Sequence, residues 1–337
     1  MASLGEFEFI DQLLKARASE GQHFFRDPAA LGIGDDAALI PALPPGEQLA
    51  VTTDMLVEGR HYFPEVDPRS LGHKVLAVNL SDLAAMGATP VAFTLAAALR
   101  SIDRPWLEQF LDGMFALAQR FQCPLIGGDT VKVSGTVPDT TPQSFSVTAM
   151  GRVPVGQALR RDGLQAGDDL WVSGNLGDGA YAVHKRMACK KLNWPEPRVA
   201  LGLALRGVAT AAIDISDGLT PELGHLLKQR LSADIFWQAL PLGDQLKTAL
   251  AQGELTQDQA RLTAATGGDE YELLFGAPPE KRAQIAGIAN SLGLPLTRIG
   301  RVTPLGSQQL VWKTVQDEPL LNADLLGQLA QGGFRHF

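Results

Sequence analysis

Cysteine is scarce in this chain. Only Cys123 and Cys189 occur in 337 residues, and neither stands in a Cys-x-x-Cys or other metal-ligand spacing. Two widely separated thiols cannot supply a disulfide framework, and they are typical of proteins from a reducing compartment. We therefore expect neither structural disulfides nor a cysteine-based metal site.

Excess positive charge and long apolar runs are also missing. Lys and Arg number 29 against 37 Asp and Glu, which gives a net charge of −8 and no basic surface for nucleic acid. No uninterrupted apolar run reaches the about 18 residues typical of a membrane span. The first residues, MASLGEFEFIDQLLK, carry acids where a signal peptide carries Lys or Arg. We expect a cytoplasmic protein without nucleic-acid or membrane partners.

The common nucleotide-binding motifs are absent as well. No Gly-x-x-x-x-Gly-Lys-Ser/Thr P-loop occurs. The stretch LGIGDDA at 31–37 has the spacing of a dinucleotide-binding turn, but such a turn opens a helix. Here prolines at 41, 44 and 45 follow, which predicts a strand and then a loop. Asp35 and Asp36 would also repel a phosphate unless a cation lay between them.

Strand-like and helix-like segments alternate along the chain. The segments predicted in the N-terminal half are strands at 49–54, 90–99 and 124–130 and helices at 70–86 and 104–121. The first helix is apolar on nearly all sides and should be buried, whereas the second is amphipathic. A second alternation begins near residue 155. We predict an α+β protein with two mixed α/β domains, residues 1–153 and 154–337.

Aspartate recurs beside glycines or at strand ends, in GIGDDA, VTTD, NLSD, GGDT, IDISDG and GGDE. Turn and cap chemistry explains any one of these motifs. Asp82 is harder to explain, because it lies within the apolar helix, where an unpaired carboxylate costs several kcal/mol. Carboxylate and hydroxyl oxygens, as in Thr52-Thr53-Asp54, suit Mg²⁺. Binding of hard cations is the simplest explanation shared by all six motifs.

Seven motifs occur in a fixed order: GIGDDAA, TTDMLVEGRHY, LGHKVLAVNLSDLAAMGATP, LIGGDT, IDISDGL, GGDEYELLF and GFRHF. Together they closely resemble the thiamine-monophosphate kinase family of the aminoimidazole-ribonucleotide synthetase-like ATP-binding superfamily. The resemblance extends from Gly5 almost to Phe337. It implies an N-terminal ATP- and Mg-binding domain that pairs in a homodimer, and a C-terminal α+β domain.

The resemblance also implies site residues, position by position. The positions that match the family's metal ligands are Asp36, Thr52, Thr53, Asp54, Asp82, Asp129, Asp214 and Asp217. The positions that match its ATP contacts are Gly128, Asp129, Arg161 and Ser216. The positions that face thiamine monophosphate are His61, Asp269 and Phe334. The implied cofactor is Mg²⁺, as several ions, with ATP as the co-substrate.

The implied reaction transfers the γ-phosphate of ATP to thiamine monophosphate by direct in-line attack, giving thiamine diphosphate. Together the two substrates carry several negative charges, which Mg²⁺ ions must neutralise. The nucleophile is a phosphate oxygen that is mostly ionised near pH 7. We therefore assign no residue as a general base.

One motif departs from the family's pattern. The family usually reads GGEDYEL, whereas this chain reads GGDEYEL at 267–273, so the two acids are exchanged. Asp269 is one methylene shorter than the glutamate it replaces. Glu270 is therefore a second candidate for part of the same role.

Several site residues also have structural interpretations. Arg160 competes with Arg161 as the ATP contact, and both could be solvated surface residues. His61 could be an ordinary histidine, since histidines are often of intermediate burial. Phe334 could anchor the chain end to the core.

Other functions remain open at this point. Selenophosphate synthetase would need a reactive cysteine near an N-terminal glycine-rich segment, and both cysteines lie far from one. Aminoimidazole-ribonucleotide synthetase is the nearest enzymatic alternative, although VEGRHY and GFRHF disfavour it. A non-catalytic module that senses nucleotides or thiamine phosphates is the alternative from another class. It would not need the full set of carboxylates.

Overall fold

The computed structural model describes residues 10–18, 24–133, 141–314 and 316–334. It divides the chain into two compact units, residues 1–83 with 88–155 and residues 84–87 with 156–337. Helices and strands are mixed in both units, which confirms the predicted α+β class. The stretch that follows Val133 is rich in Pro, Ser and Gly, and its residues 134–140 lie outside the described residues.

The first unit has one sheet among its described residues. Its strands are β1 (Glu47–Val57), β2 (Thr89–Leu99), β3 (Leu125–Lys132) and β4 (Ser144–Pro154). Their order is β1-β4-β2-β3, in which only β2 and β3 run parallel. The three strands predicted at 49–54, 90–99 and 124–130 are all present. β1 and β3 are the two edge strands.

Two helices pack against this sheet, α1 (Pro68–Ala85) and α2 (Arg104–Arg120). The two helices touch through their backbones. A Cβ atom at Gly72 or at Gly113 would lie 1.8 Å from a backbone carbonyl oxygen of the other helix. Only glycine permits so close a crossing. Short helical turns precede β1 at Ile10–Lys15, Ala16–Ala18 and Phe24–Arg26.

The core of the first unit lies between the helices and one face of the sheet. Alternate residues of β4 are buried, and Phe145 stacks on Phe110 of α2 with ring centroids 4.6 Å apart. Leu76 and Leu80 of α1 are fully buried, as the apolar pattern predicts. Burial of each such side chain contributes about 1.5–3 kcal/mol.

The other face of the sheet carries exposed apolar side chains. Leu49, Val51 and Met55 alternate along β1 and are 45%, 59% and 55% exposed. Val131 on β3 is 50% exposed. Solvated sheet faces usually carry polar residues. This face is instead suited to contact with another surface.

The second unit contains a larger mixed sheet among its described residues. Its strands are β5 (Asp169–Ser173), β6 (Ala211–Asp214), β7 (Leu231–Phe236), β8 (Leu273–Ala277), β9 (Leu296–Pro304) and β10 (Leu310–Lys313). Their order is β10-β7-β9-β5-β8-β6, in which β10 and β7 are parallel and the other neighbours antiparallel. Mixed pairing of this kind excludes a doubly wound parallel sheet.

Eight α-helices of the second unit accompany this sheet among the described residues, and apolar side chains of helices and strands form its core. The helices are α3 (Asp178–Lys185), α4 (Lys190–Asn193), α5 (Val199–Ala204), α6 (Leu219–Leu227), α7 (Asp244–Ala251), α8 (Gln257–Thr266), α9 (Arg282–Leu292) and α10 (Ala323–Gln331). In the core, Trp237 meets Trp312 edge to face at 5.5 Å. None of the helices in the described residues is both long and apolar enough to cross a membrane.

Some elements differ from the sequence-based prediction. Apolar periodicity in the sequence does not predict α7, α8 or α10, because these short helices bury only a few apolar residues each. Two of them carry clear start signals, a capping box of Thr256 and Gln259 and an N-cap at Asn322. The strand predicted after Asp36 is wrong, since only an isolated bridge joins Leu31 to Leu39 there. Prolines on its C-terminal side limit further pairing.

Candidate active site

Three predicted cation ligands of the first unit lie on the helix side of its sheet. The pleat of β1 puts Thr52 and Asp54 on one face together with buried Leu56. The Thr52 hydroxyl donates a hydrogen bond to Asp82 Oδ2 on α1. Asp54 N–H donates to the side-chain oxygen of Asn79, one turn earlier on the same helix, at 3.0 Å. Asp82 is therefore half-buried beside a hydroxyl donor and not isolated in an apolar helix.

Thr53 lies on the opposite face of the sheet. Its hydroxyl is 2.8 Å from that of Thr148 on β4. The alternation of the strand therefore separates the Thr53 side chain from those of Thr52 and Asp54. The Thr53 side chain therefore does not share a site with the Asp82 carboxylate on the helix side.

The Gly128–Asp129 pair lies on the far edge of the sheet. Gly128 belongs to the same cross-strand row as Asp54, and three strand spacings of ~4.8 Å put their backbones roughly 14 Å apart. A Cβ at Gly128 would lie 1.9 Å from the Leu95 carbonyl oxygen, so the position admits only glycine. Asp129 is exposed. One ion cannot contact both Asp54 and Asp129 of this unit.

Asp36 lies in an exposed turn before β1. Gly34 in this turn has φ of 133°, a conformation that favours glycine. The Lys15 ammonium packs over the turn, 2.9 Å from where a Cβ of Gly34 would be. The Lys15 ammonium therefore lies beside the turn that carries the Asp35–Asp36 pair.

His61 follows β1 in a tight turn with a defined ring orientation. Val57 N–H donates to His61 Nδ1 at 3.0 Å, and His61 N–H donates to the Val57 carbonyl at 2.8 Å. An accepting Nδ1 is unprotonated, so a neutral ring carries its proton on Nε2. Two contacts of Glu58 hold this turn. Its carboxylate oxygen Oε1 lies 2.5 Å from Arg100 Nη1, and its N–H donates to the Gln143 carbonyl at 2.9 Å. Such a ring can donate from Nε2 to an anion.

The donor set of the first unit suits a hard cation. Thr52, Asp54 and Asp82 offer only oxygen ligands, which Mg²⁺ prefers. Within the described part of the chain, however, no three His, Cys, Asp or Glu side chains are grouped closely enough to hold a metal ion by themselves. Mg²⁺ commonly completes its coordination with water and substrate phosphates. The residues fit an ion that arrives with a phosphate ligand.

In the second unit, the predicted residues Asp214, Ser216 and Asp217 follow one another where β6 ends. Asp214 is buried as the last residue of β6. Glu222, on the first turn of α6, accepts from Asp217 N–H at 3.3 Å and lies 3.4 Å from the Ser216 hydroxyl. Burial raises the pKa of Glu222 to about 7, and the neighbouring Arg161 opposes this shift. Glu222 fixes the segment that carries Ser216 and Asp217.

Two further predicted residues meet this segment through backbone hydrogen bonds. Asp269 N–H donates to the Ser216 carbonyl at 2.8 Å. Phe334 N–H donates to the Asp217 carbonyl at 2.9 Å, and the residue as a whole is 38% exposed. The fold thus brings together residues predicted to contact ATP, a cation and the acceptor.

The two acids of the GGDEYEL motif have different environments. Asp269 is half-buried, and its Oδ1 accepts from the Tyr271 hydroxyl at 3.1 Å. Glu270 is buried, and it accepts from the N–H groups of Gly177 and Gly179 at 2.9 and 3.2 Å. Asp269 is therefore the acid that a ligand can reach.

The two adjacent arginines also differ. Arg160 is paired with Asp162 through two hydrogen bonds of 2.9 Å, which raises the pKa of Arg160. Arg161 is exposed and close enough to Glu222 to affect its pKa. Of the two, Arg161 lies nearer the segment that carries Ser216.

The sequence does not predict the roles of Glu222 or of the basic partners of Glu272. An acid in the first turn of a helix is a common feature, so Glu222 carries no distinctive signal. Lys191 and Arg198 both contact Glu272, but they come from a segment without a recognisable motif. These contacts depend on the tertiary fold.

The comparisons with known proteins agree with these observations. Residues 34–153 match the family described as AIR synthase related protein, N-terminal domain. The thiamine-monophosphate kinase of Salmonella typhimurium (strain LT2) is 38% identical over 319 residues, which cover 89% of this chain and 90% of that protein. The crystal structure of thiamine-monophosphate kinase from Stenotrophomonas maltophilia K279a shares 44% identity at a TM-score of 0.79, covering 95% of this chain and 99% of that one. The structure of AaThiL complexed with AMPPCP and TMP shares 26% identity at a TM-score of 0.71, covering 99% and 97%.

Proposed function

The chain belongs to the thiamine-monophosphate kinase family, and we propose that it transfers the γ-phosphoryl group of ATP to thiamine monophosphate, giving ADP and thiamine diphosphate. The ordered motifs of the sequence support this assignment, as do relatives of that name that match about nine-tenths of the chain. The complex of AaThiL with AMPPCP and TMP supports the same pair of substrates.

One structural observation carries the proposal furthest. Ser216, Asp217, Asp269 and Phe334 come from three distant segments, yet backbone hydrogen bonds of 2.8 and 2.9 Å hold them side by side. We assign Ser216, together with Arg161, Gly128 and Asp129, to ATP. Positioning of two bound substrates is the main contribution a protein makes to phosphoryl transfer.

We further propose that the reaction uses several Mg²⁺ ions. The residues that would hold them are Asp36, Thr52, Thr53, Asp54, Asp82, Asp129, Asp214 and Asp217. Bound Mg²⁺ supplies neutralisation of the phosphate charges. Because Asp54 and Asp129 lie on opposite edges of one sheet, the ligands of the first unit form more than one group, which favours more than one ion.

The acceptor residues act by orientation and charge. We propose that a terminal phosphate oxygen of thiamine monophosphate attacks the γ-phosphorus in line. The new P–O bond forms as the bond to the β,γ-bridging oxygen breaks, and ADP leaves. The attacking oxygen is already mostly ionised near pH 7, so no residue needs to remove a proton. His61 can donate from Nε2 to the acceptor's phosphate, and Phe334 offers a partly exposed ring to its cationic thiazolium.

We also propose that the protein is a homodimer that acts in the cytoplasm. The exposed apolar face of the first sheet, with Leu49, Val51, Met55 and Val131, supports pairing with a second copy. The requirement for ATP fits a cytoplasmic location.

The reaction is tested by incubating the purified protein with ATP, Mg²⁺ and thiamine monophosphate and separating the products by chromatography. ADP and thiamine diphosphate should form in equal amounts, and neither should form after chelation of divalent ions. Release of inorganic phosphate with thiamine monophosphate unchanged would exclude the kinase assignment. Binding of both ligands without turnover would favour the sensing module.

A further inference from the structure

The segment 267–272 is held between two parts of the second unit. On one side, Asp269 N–H and Tyr271 N–H each donate at 2.8 Å to the backbone carbonyls of Ser216 and Ile215. On the other side, the side chains of Glu270 and Glu272 turn inward and are about 1% exposed. Alternate residues of this segment therefore serve opposite sides.

The Glu270 carboxylate joins the segment to the start of α3. Its Oε1 accepts from Gly177 N–H at 2.9 Å and from Gly179 N–H at 3.2 Å. Its Oε2 lies 3.9 Å from Lys191 Nζ and has no hydrogen-bond partner among the described residues. A Cβ at Gly179 would lie 2.5 Å from the Asp269 carbonyl oxygen, so the helix start and the segment are in direct contact.

Glu272 forms a separate anchor next to Glu270. It accepts from Ser173 Oγ at 2.6 Å and from Arg198 Nε at 2.6 Å, and it also pairs with Lys191. Loss of Glu270 would therefore leave the following strand attached. What Glu270 adds is a tie between the backbone just before that strand and the start of α3.

That backbone is strained on both sides of Glu270. Asp269 has φ of 62° and Tyr271 has φ of 50°. Residues other than glycine seldom adopt this left-handed region. Each such residue costs on the order of 1 kcal/mol and persists only where surrounding contacts enforce it. Glu270 is the residue between them, and its hydrogen bonds to Gly177 and Gly179 act together with the backbone bonds of Asp269 and Tyr271 to enforce it. The Tyr271 hydroxyl then orients the Asp269 carboxylate at 3.1 Å.

We propose that Glu270 is a positioning residue of the acceptor site: through the amides of Gly177 and Gly179 it holds Asp269 in the conformation that meets the acceptor. The expected change in KM rests on the proposed kinase function. The expected change in the backbone of the segment does not, because it can be measured without substrate.

The test compares three changes at this position. Glu270→Gln keeps an oxygen that accepts from both amides. Glu270→Asp is one methylene too short to reach both. The exchange Asp269→Glu with Glu270→Asp lengthens the half-buried acid as it shortens the buried one. Asp168→Asn is the control, because the buried Asp168 carboxylate also accepts a backbone N–H, that of Gln165 at 3.0 Å, before the start of β5.

The kinetic readout is KM for each substrate. Glu270→Asp should raise KM for thiamine monophosphate about tenfold, as expected for one lost hydrogen bond, whereas Glu270→Gln should leave it near the wild-type value. KM for ATP should change less than about twofold, since Glu222 holds the Ser216 segment independently. The exchange keeps the short acid at position 270, so it should keep the loss. The inference is overturned if both KM values rise together, if the exchange restores the wild-type KM for thiamine monophosphate, or if Asp168→Asn has the same effect as Glu270→Asp.

The structural readout is amide hydrogen exchange of residues 267–273 in the substrate-free protein. Glu270→Asp should speed exchange in this segment, because the Asp269 and Tyr271 amides lose their enforced geometry. Asp168→Asn should not speed it. Unchanged exchange in Glu270→Asp would sink the positioning role even in an active kinase. Faster exchange in a protein that never phosphorylates thiamine monophosphate would instead refute only the kinase function.

Discussion

Phe334 and Asp217 are joined through their backbones, with the Phe334 N–H donating to the Asp217 carbonyl oxygen at 2.9 Å. The bond does not involve the aromatic ring, and the residue as a whole is 38% exposed. The position of the chain near its end is thus fixed by a contact that is independent of the side chain in Phe334→Ala or Phe334→Leu. The ring itself can be removed without detaching the segment from the residue predicted to bind a cation.

Phe334→Ala should therefore weaken the binding of thiamine monophosphate with little effect on ATP. Loss of an aromatic face beside a cationic ring costs about 1–2 kcal/mol, roughly tenfold in affinity. Phe334→Leu keeps apolar bulk and should recover only part of this loss. Isothermal titration with each ligand measures the effect, and Leu321→Ala, at a residue that is 90% exposed, is the control. Equal weakening of both ligands, with a large drop in Tm, would instead assign Phe334 a structural role.

Asp82→Asn should lower kcat by about two orders of magnitude, because it removes one charge from a proposed cation ligand. The free energy of unfolding without metal should not fall, since the Thr52 hydroxyl can donate to the amide oxygen that replaces Oδ2. Steady-state kinetics and denaturant titration measure the two effects. Asp112→Asn, on exposed α2 surface beside Arg17, is the control and should leave both unchanged. A variant that is much less stable but turns over normally would show that Asp82 is structural.

Gly128→Ala should disrupt the pairing of β2 with β3. Its Cβ would lie 1.9 Å from the Leu95 carbonyl oxygen, so one strand must move, at a cost of about 2–4 kcal/mol. ATP binding should weaken as the edge shifts. Gly127→Ala is a close control, because the nearest atom to its Cβ would be Thr94 Cγ2 at 4.0 Å. Thermal denaturation of both variants decides the matter: similar Tm values would refute the steric argument.

Glu270 should make stability depend on pH through the neutral range. Burial raises the pKa of its carboxyl from 4.5 to about 8, against the opposing effect of Lys191 and with added repulsion from Glu272 and Asp178. Between these values the unfolded chain has lost a proton that the folded protein keeps. The free energy of unfolding should therefore fall as pH rises from about 4.5 to about 8, by up to ~1.4 kcal/mol per pH unit.

Glu270→Gln should remove this decline, which denaturant titrations at several pH values can show. Glu254→Gln is the control, because the pKa of Glu254 is lowered whereas that of Glu270 is raised. Glu254 is exposed, and its hydrogen bond from Lys185 lowers its pKa, so its contribution is lost only in acid. The prediction is wrong if the wild type and Glu270→Gln show the same pH slope in the neutral range.

Val51→Lys should dissociate the proposed homodimer, because it places a charge on the exposed apolar face of the first sheet, where Val51 is 59% exposed. Light scattering coupled to size exclusion measures the mass. Leu321→Lys makes the same chemical change at an exposed residue of the second unit and should leave the mass unchanged. A monomeric wild type, or an undisturbed dimer in Val51→Lys, would refute pairing through this face.

The elements that the sequence predicts well are those whose own composition decides their burial. α1 has apolar residues on nearly all sides, and the strands of the first sheet alternate or run apolar, so both are recognisable locally. α7, α8 and α10 bury few residues, and their start signals are the only local indication. Periodicity alone misses them.

The candidate site divides in the same way. Motifs single out Ser216, Asp269 and Phe334, but their meeting depends on backbone hydrogen bonds between segments far apart in the chain. Nor does the sequence show which face of β1 turns toward α1, or that Glu270 faces inward. Residue types can be predicted from the sequence, whereas their directions depend on strand register and tertiary contacts.

The glycine contact between α1 and α2 bears on how the first unit would accept a cation. Because Gly72 and Gly113 bring the two backbones together, α1 can neither slide nor rotate without a collision. The Asp82 carboxylate is thus held on a helix of fixed position, and the Thr52 hydroxyl, on the side of the sheet that faces this helix, already donates to it. An ion that bound there would find these ligands prearranged, and the free energy of binding would not be spent on moving the helix.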